Sequence, residues 1–244
     1  MFKRPHHQRI QKLLTSLNTS FLSDCGCYFG GGTAIVLNLG EYRESVDIDF
    51  LCASVAGYRR LRNTIHEQSL GGIFRSPVTL AREVRADRYG IRTFVIVDGM
   101  PIKFEIVSEG RIQIEGTPDP YTGVPTLSRS DMYAEKLLAN ADRWNDKSVA
   151  SRDIIDLAMM LEGWGPVPIR AWEKVYEAYG ASAQEAYIKA VALISDPSHL
   201  ARCLVQMQMN PTLIDRIPTV LRATEFPDLQ IDEAAPSPLP SPRP

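Results

Sequence analysis

Apolar and polar positions change period along the chain. Residues 8–18 repeat apolar side chains at helical spacing, and residues 25–30 read as a strand. A helix over 32–39, closed by Gly40, and a strand over 46–52 follow. A helix is predicted over 58–68 and a strand over 78–84. Residues 91–97 and 102–107 flank Asp98-Gly99, a strong short hairpin signal, with Pro101 just inside the second strand. Strand signals stop after Gly123. From Ser128 onward the period is helical, over 130–144, 150–162, 168–179, 183–195, 198–208 and 212–223. Ser128 or Ser130 is placed to cap the first of these, and Pro197 and Pro211 sit where prolines begin helices. Elements that alternate helix and strand and then turn antiparallel predict an α/β or α+β sheet covered by helices, not a sandwich. The expected division is a sheet domain over 1–125, a helical domain over 126–224 and a Pro-rich tail over 225–244. The tail has too few apolar residues to offset its ordering entropy and is expected to be disordered or extended.

Within this pattern, Gly30-Gly31-Gly32-Thr33 opens a helix, and Arg43-Glu44-Ser45-Val46-Asp47-Ile48-Asp49-Phe50 leads into the next strand. Alternation along that strand points Asp47 and Asp49 one way and Val46, Ile48 and Phe50 into a core. Two carboxylates held side by side resist ionising together, and carboxylate oxygens with substrate phosphates are how Mg²⁺ is usually held. A glycine-rich turn at a helix N-terminus offers free N–H groups to phosphates. Each part alone has a plainer reading, a tight turn for the glycines and a charged edge strand for the D-x-D. In Ile102-Lys103-Phe104-Glu105-Ile106 the polar residues alternate with the apolar ones, so Glu105 is either a third carboxylate or part of a solvated face, depending on register. On the first C-terminal helix Lys136, Asn140 and Arg143 fall on one face, with Leu137, Leu138 and Ala141 turned to a core. That stripe also fits solvated surface. Arg152 and Asp156, one turn apart, fit a surface ion pair, and Asp153 fits a charge favouring the helix dipole.

Taken together in order, G-G-T-A, then R-x-S-x-D-x-D, then K-x₆-R with R-D-x-x-D (Lys136, Arg143, Arg152, Asp153, Asp156) resemble the motifs of the AbiEii/AbiGii-type nucleotidyltransferases. These belong to the polymerase-beta-like superfamily, and many are toxins of toxin–antitoxin or abortive-infection systems. The resemblance spans roughly residues 25 to 160. It implies an α+β polymerase-beta-like mixed sheet followed by a helical domain, and transfer of NMP from an NTP to an acceptor hydroxyl. It further implies that Asp47, Asp49 and Glu105 hold Mg²⁺, two ions being expected, and that Lys136 stabilises the charge developing on phosphorus. Gly31, Gly32, Thr33, Arg43 and Ser45 are implied as nucleotide contacts. Arg152, Asp153 and Asp156 would orient the lysine and the nucleotide or act near the attacking hydroxyl. tRNA is the acceptor the resemblance implies, and a cognate antitoxin the partner. The alternatives are nucleotidylation of a protein or of a small molecule such as an antibiotic, or a non-catalytic partner-binding module.

Composition adds limits. The 244 residues are 44% hydrophobic, enough for a substantial core, with a net charge of −2 that advertises no global affinity for nucleic acid. The densest positive stretch is local: Arg75, Arg82, Arg85, Arg88 and Arg92, against Glu83 and Asp87. No run approaches the ~18 apolar residues of a membrane span, and a soluble cytoplasmic protein is expected. Cys25, Cys27, Cys52 and Cys203 lack the spacing of a zinc site and are expected in the core. His6, His7, His66 and His199 have no partnered spacing, and His6-His7 is expected to lie in a mobile N-terminus.

Overall fold

In a computed structural model, residues 2–229 are described. Helices α1 (Pro5–Thr15) and α2 (Thr19–Asp24) precede strand β1 (Cys27–Gly30), helix α3 (Gly31–Asn38), strand β2 (Ile48–Cys52) and helix α4 (Val55–Asn63). Strands β3 (Arg85–Ala86), β4 (Gly90–Val97), β5 (Met100–Ser108), β6 (Gly116–Pro118) and β7 (Pro125–Leu127) follow. Among the described residues six α-helices follow: α5 (Arg129–Arg143), α6 (Arg152–Trp164), α7 (Ile169–Tyr179), α8 (Ser182–Ile194), α9 (Pro197–Gln206) and α10 (Arg216–Arg222).

The seven strands form one mixed sheet in the order β3-β4-β5-β2-β1-β7-β6. β1 runs antiparallel to β2, while β2 and β5 are parallel with Asp49 beside Glu105. Alternation then separates two chemistries. Ile48, Phe50, Phe104 and Ile106 are fully buried, and Phe29, Phe50, Phe104 and Phe74 form a chain of tilted rings 5.5 to 5.8 Å apart. The opposite face carries Asp49, Leu51, Lys103, Glu105 and Val107. Local signals position the elements. The side chains of Asn18, Ser54 and Ser128 cap α2, α4 and α5, so of the two candidate caps for α5 it is Ser128 that acts. Asp98 and Gly99 both have positive φ, as the tight β4–β5 hairpin requires.

Several expectations need correction. Residues 78–84 form no strand; Leu80 makes a single bridge to Val95, and strand pairing begins at Arg85. α4 starts at its Ser54 cap and stops at Asn63, so the predicted helix over 58–68 lies too far along the chain. Strand β2 begins at Ile48, leaving Val46 half exposed and Asp47 just ahead of the strand. The sheet also runs beyond residue 125, because β7 pairs in parallel with β1 through Phe29 and Thr126. One buried core is continuous through sheet and helices. Phe226, in the segment expected to be disordered, packs edge-on against Trp172 and Tyr187. Residues 230–244 lie outside the described residues. Among those described, no helix is long and apolar enough to cross a membrane.

Candidate active site

The β1–α3 turn, the approach to β2, strand β5 and helix α5 surround a cavity of about 480 Å³. The glycines are explained by what presses on them. A Cβ on Gly31, at φ 66°, would lie 2.7 Å from an Asp49 carboxylate oxygen, and one on Gly32 would lie 2.5 Å from Arg43 Nη2. No larger residue lets the carboxylate and the guanidinium approach the turn so closely. Thr33 and Ser45 are buried and bond each other, Oγ1 to Oγ at 2.8 Å, and Thr33 Oγ1 also donates to the Asp47 carbonyl. Their first role is therefore to clamp the Ser45–Asp47 segment against α3.

Behind the cavity wall stands a buried ionic hub. Arg43, 5% exposed, donates from Nε and Nη2 to the two oxygens of Asp156 at 2.7 and 2.8 Å, and Tyr42 Oη donates to the same carboxylate at 2.6 Å. Lys136 Nζ is 3.0 Å from both Asp153 and Asp156. Arg143 holds Asp153 through two hydrogen bonds. Burial alone raises the Asp156 carboxyl, but Arg43 and Lys136 outweigh it and hold the group well below the ordinary carboxylate range. Asp153 and Asp156 thus do not line the cavity; they fix the cations that do. The plainer alternative, a surface pair of Arg152 with Asp156, is not found among the described residues: Asp156 is buried with Arg43 and Lys136, and Arg152 lines the cavity. Asn140 is also turned inward; the cavity face of α5 is Met132, Glu135, Lys136, Ala139 and Arg143, at helical spacing.

The carboxylates are arranged unequally. Burial pushes Asp49 up to about 6; Lys103 opposes this, while Asp47 and Glu105 add to it. Glu105 is held below its ordinary value, because Lys103 at 2.7 Å and Arg92 at 2.5 Å overcome its burial. Among the described residues no group of three His, Cys, Asp or Glu is drawn together tightly enough to hold a metal ion. Asp47 and Asp49 fit a divalent cation by donor chemistry, since Asp49 is a half-buried carboxylate on the cavity wall with like charges beside it. Glu105 is already spent on two cations and joins such a site only by exchanging them.

Sequence reasoning missed His7. It is fully buried, its Nε2 accepts the Ser45 N–H at 3.1 Å, and its Nδ1 lies 2.8 Å from Glu41 Oε1. Glu41 in turn accepts the N–H groups of Lys3 and Arg4. A ring that accepts at Nε2 donates at Nδ1, so His7 is the neutral tautomer, and burial lowers its pKa despite Glu41. The available signal was the amphipathic helix that carries it: His7 lies three residues before Ile10, on the buried face.

The cavity is thus bounded by a glycine turn, the carboxylates of Asp47, Asp49 and Glu105, and the cations of Arg43, Lys136 and Arg143. Residues 12–236 match the AbiEii family, the nucleotidyl transferase AbiEii toxins of type IV toxin–antitoxin systems, and the chain belongs to that family. Membership makes it a nucleotidyltransferase and implies an NTP substrate and a cognate antitoxin. Two Helicobacter pylori structures share the fold. A candidate nucleotidyltransferase is 16% identical with TM-score 0.52, covering 89% of this chain and 92% of that one. JHP933 is 14% identical with TM-score 0.50, covering 91% and 90%. No curated protein matches the sequence.

Proposed function

We propose that the protein is the Mg²⁺-dependent toxin of its system and transfers NMP from an NTP to a hydroxyl of tRNA. The observation that carries this reading is the packing of the Asp49 carboxylate against the Gly31 turn in a cavity that also contains Lys136. Asp47 and Asp49 would hold Mg²⁺, which when bound lowers the pKa of the acceptor hydroxyl and neutralises the leaving pyrophosphate. The chain's own groups do the rest. Free N–H groups at the start of α3 receive phosphate oxygens. Lys136, oriented by Asp153 and Asp156, places a positive charge where the transferred phosphoryl gains negative charge. Arg152 and Arg143 add positive charge along the same wall. The acceptor assignment is supported by family membership and by exposed arginines on the β3–β4 edge, treated in the Discussion.

The test is incubation of the purified protein with labelled NTPs, Mg²⁺, a tRNA pool and soluble proteins, followed by separation of the fractions. Label is expected in the RNA, and Asp49→Ala is expected to abolish it without loss of fold. Label confined to protein or small molecules rejects the tRNA acceptor, and undiminished label with Asp47→Ala and Asp49→Ala places the site elsewhere.

A further inference from the structure

Three carboxylates meet on the cavity face of the sheet, and a lysine stands among them. β2 and β5 run parallel, with Ile48 beside Phe104 and Asp49 beside Glu105. Continued one residue back, past the start of β2, the same register places Asp47 beside Lys103. Neighbouring strands lie about 4.8 Å apart and alternate residues on one strand about 7 Å apart, so Asp47, Asp49 and Glu105 take three corners of a small rectangle and Lys103 the fourth. All four line the cavity.

The other cations of the cavity are committed elsewhere. Asp156 holds Arg43 and Lys136, Asp153 holds Arg143, and Glu109 and Glu135 hold Arg111. Among the described residues neither Asp47 nor Asp49 is in an ion pair, and of the cations lining the cavity only Lys103 bonds one of the three carboxylates, 2.7 Å from Glu105 Oε2. Arg92 holds the other oxygen of Glu105 from β4. The field of Lys103 reaches beyond that one bond. Burial works to lower the pKa of its ammonium, but Glu105, Asp49 and Asp47 outweigh it and hold the group above its ordinary value. Burial likewise raises the Asp49 carboxyl, and Lys103 is the neighbour that most opposes the rise. Lysine is also suited to leave: it is a point charge on a flexible four-carbon stem, with 36% of the side chain exposed against 13% for Glu105.

We propose that Lys103 is the resident counter-ion of Asp47, Asp49 and Glu105, competing for them with the divalent cation. An ammonium and a dication among the same oxygens repel each other, so the nucleotide-free protein holds a free divalent ion weakly. The triphosphate of an NTP supplies anionic oxygens for the ammonium as it leaves the carboxylates, so cation and nucleotide are taken up together and no charge is left unpaired. This inference rests on the reading of Asp47 and Asp49 as the divalent-cation site.

Titration of the nucleotide-free protein with Mn²⁺, followed by the paramagnetic resonance of the unbound ion, reads the competition without turnover. Lys103→Met nearly keeps the length of the side chain and removes its charge; it is expected to tighten Mn²⁺ binding about tenfold or more by relief of the repulsion. Lys103→Gln should act in the same direction, and Lys103→Arg should keep the weak parental affinity. Thermal unfolding gives a second readout and shows that each variant is folded. In EDTA the Lys103→Met protein should melt below the parent, its carboxylates having lost their counter-ion, and added Mg²⁺ should raise its melting temperature more than the parent's. Mn²⁺ affinity and Mg²⁺ stabilisation equal to the parent's in both neutral variants overturn the proposal, and the cation site still stands if Asp49→Ala weakens Mn²⁺ binding to the parent. In the double variant Asp49→Ala, Lys103→Met the gained affinity should disappear; if it persists, the cation site at Asp47 and Asp49 is refuted and the competition with it.

Discussion

Asp156 is the residue on which the site's charges converge. It is completely buried and joins Arg43, Lys136 and Tyr42, so Asp156→Asn leaves two buried cations short of a counter-charge. Removing one partner from such a network costs about 3–5 kcal/mol, and urea unfolding should show a loss of that order. Its depressed pKa fixes the sign with pH: the stabilisation is complete at neutral pH and is lost as pH falls through the carboxylate range. His7 acts in the same direction for a different reason. Its folded pKa lies below 6.5, so the unfolded chain takes up a proton more readily and stability drops as pH falls through that region. An imidazolium also cannot accept the Ser45 N–H. Mg²⁺-dependent NTP affinity should therefore decline below about pH 6.5, and His7→Gln, which can both donate and accept, should flatten the decline. An identical pH profile in that variant would remove His7 from control of the loop.

At the scale of elements, the turn into α6 stores strain. Ala150 and Ser151 both adopt left-handed backbone, φ 51° and 50°, immediately before Arg152 and Asp153. Ser151 Oγ and His199 Nε2 of α9 are 3.0 Å apart, which ties the strained turn to the helix behind it. Ala150→Gly relieves a left-handed non-glycine position and should raise unfolding stability by about 1 kcal/mol, measured by thermal or urea denaturation. The elements were legible to different degrees. Helices α5 to α9 follow their apolar period closely, since each buries one stripe. Residues 78–84 look like a strand because Val78, Leu80 and Val84 alternate, yet only Leu80 finds a partner; periodicity marks which side chains are buried and does not supply a neighbouring strand. The short β6 and β7 went unread because three residues carry no period, and β7 is a strand only through its pairing with the distant β1.

On the whole molecule, the arginine-rich segment resolves into two kinds of residue. Arg92 is committed to Glu105 and Asp87, and Arg82 stacks over Phe94 at 4.8 Å. Arg85 and Arg88 have no ion pair among the described residues and are exposed at the β3–β4 edge. If RNA is gripped there, Arg85→Glu with Arg88→Glu should weaken tRNA binding and make its salt dependence shallower while NTP binding persists; equal labelling of tRNA across a salt series excludes this edge. The same distinction governs how much of the site could be read in advance. Motif spacing picked out Asp47, Asp49, Lys136 and Arg152 because their chemistry is local to the motif. It could not show that Asp156 stands behind Arg43, since that contact joins residues 113 positions apart. Nor could it show that Arg92 and Lys103 neutralise Glu105, because Arg92 comes from the neighbouring strand in register.

The Arg43–Asp156 bond also sets a timetable for synthesis. A ribosome delivers the glycine turn and the D-x-D strand early, but the carboxylate that fixes Arg43 and Lys136 emerges more than a hundred residues later. Until α6 has emerged the nascent chain holds Asp47 and Asp49 without the anchored cations, and until residue 127 has emerged β1 lacks its parallel neighbour β7. The anchored arrangement of Arg43 and Lys136 is therefore completed late in translation, and a chain truncated before α6 is expected to lack it, which comparing the NTP affinity of such a truncation with that of the full chain would check.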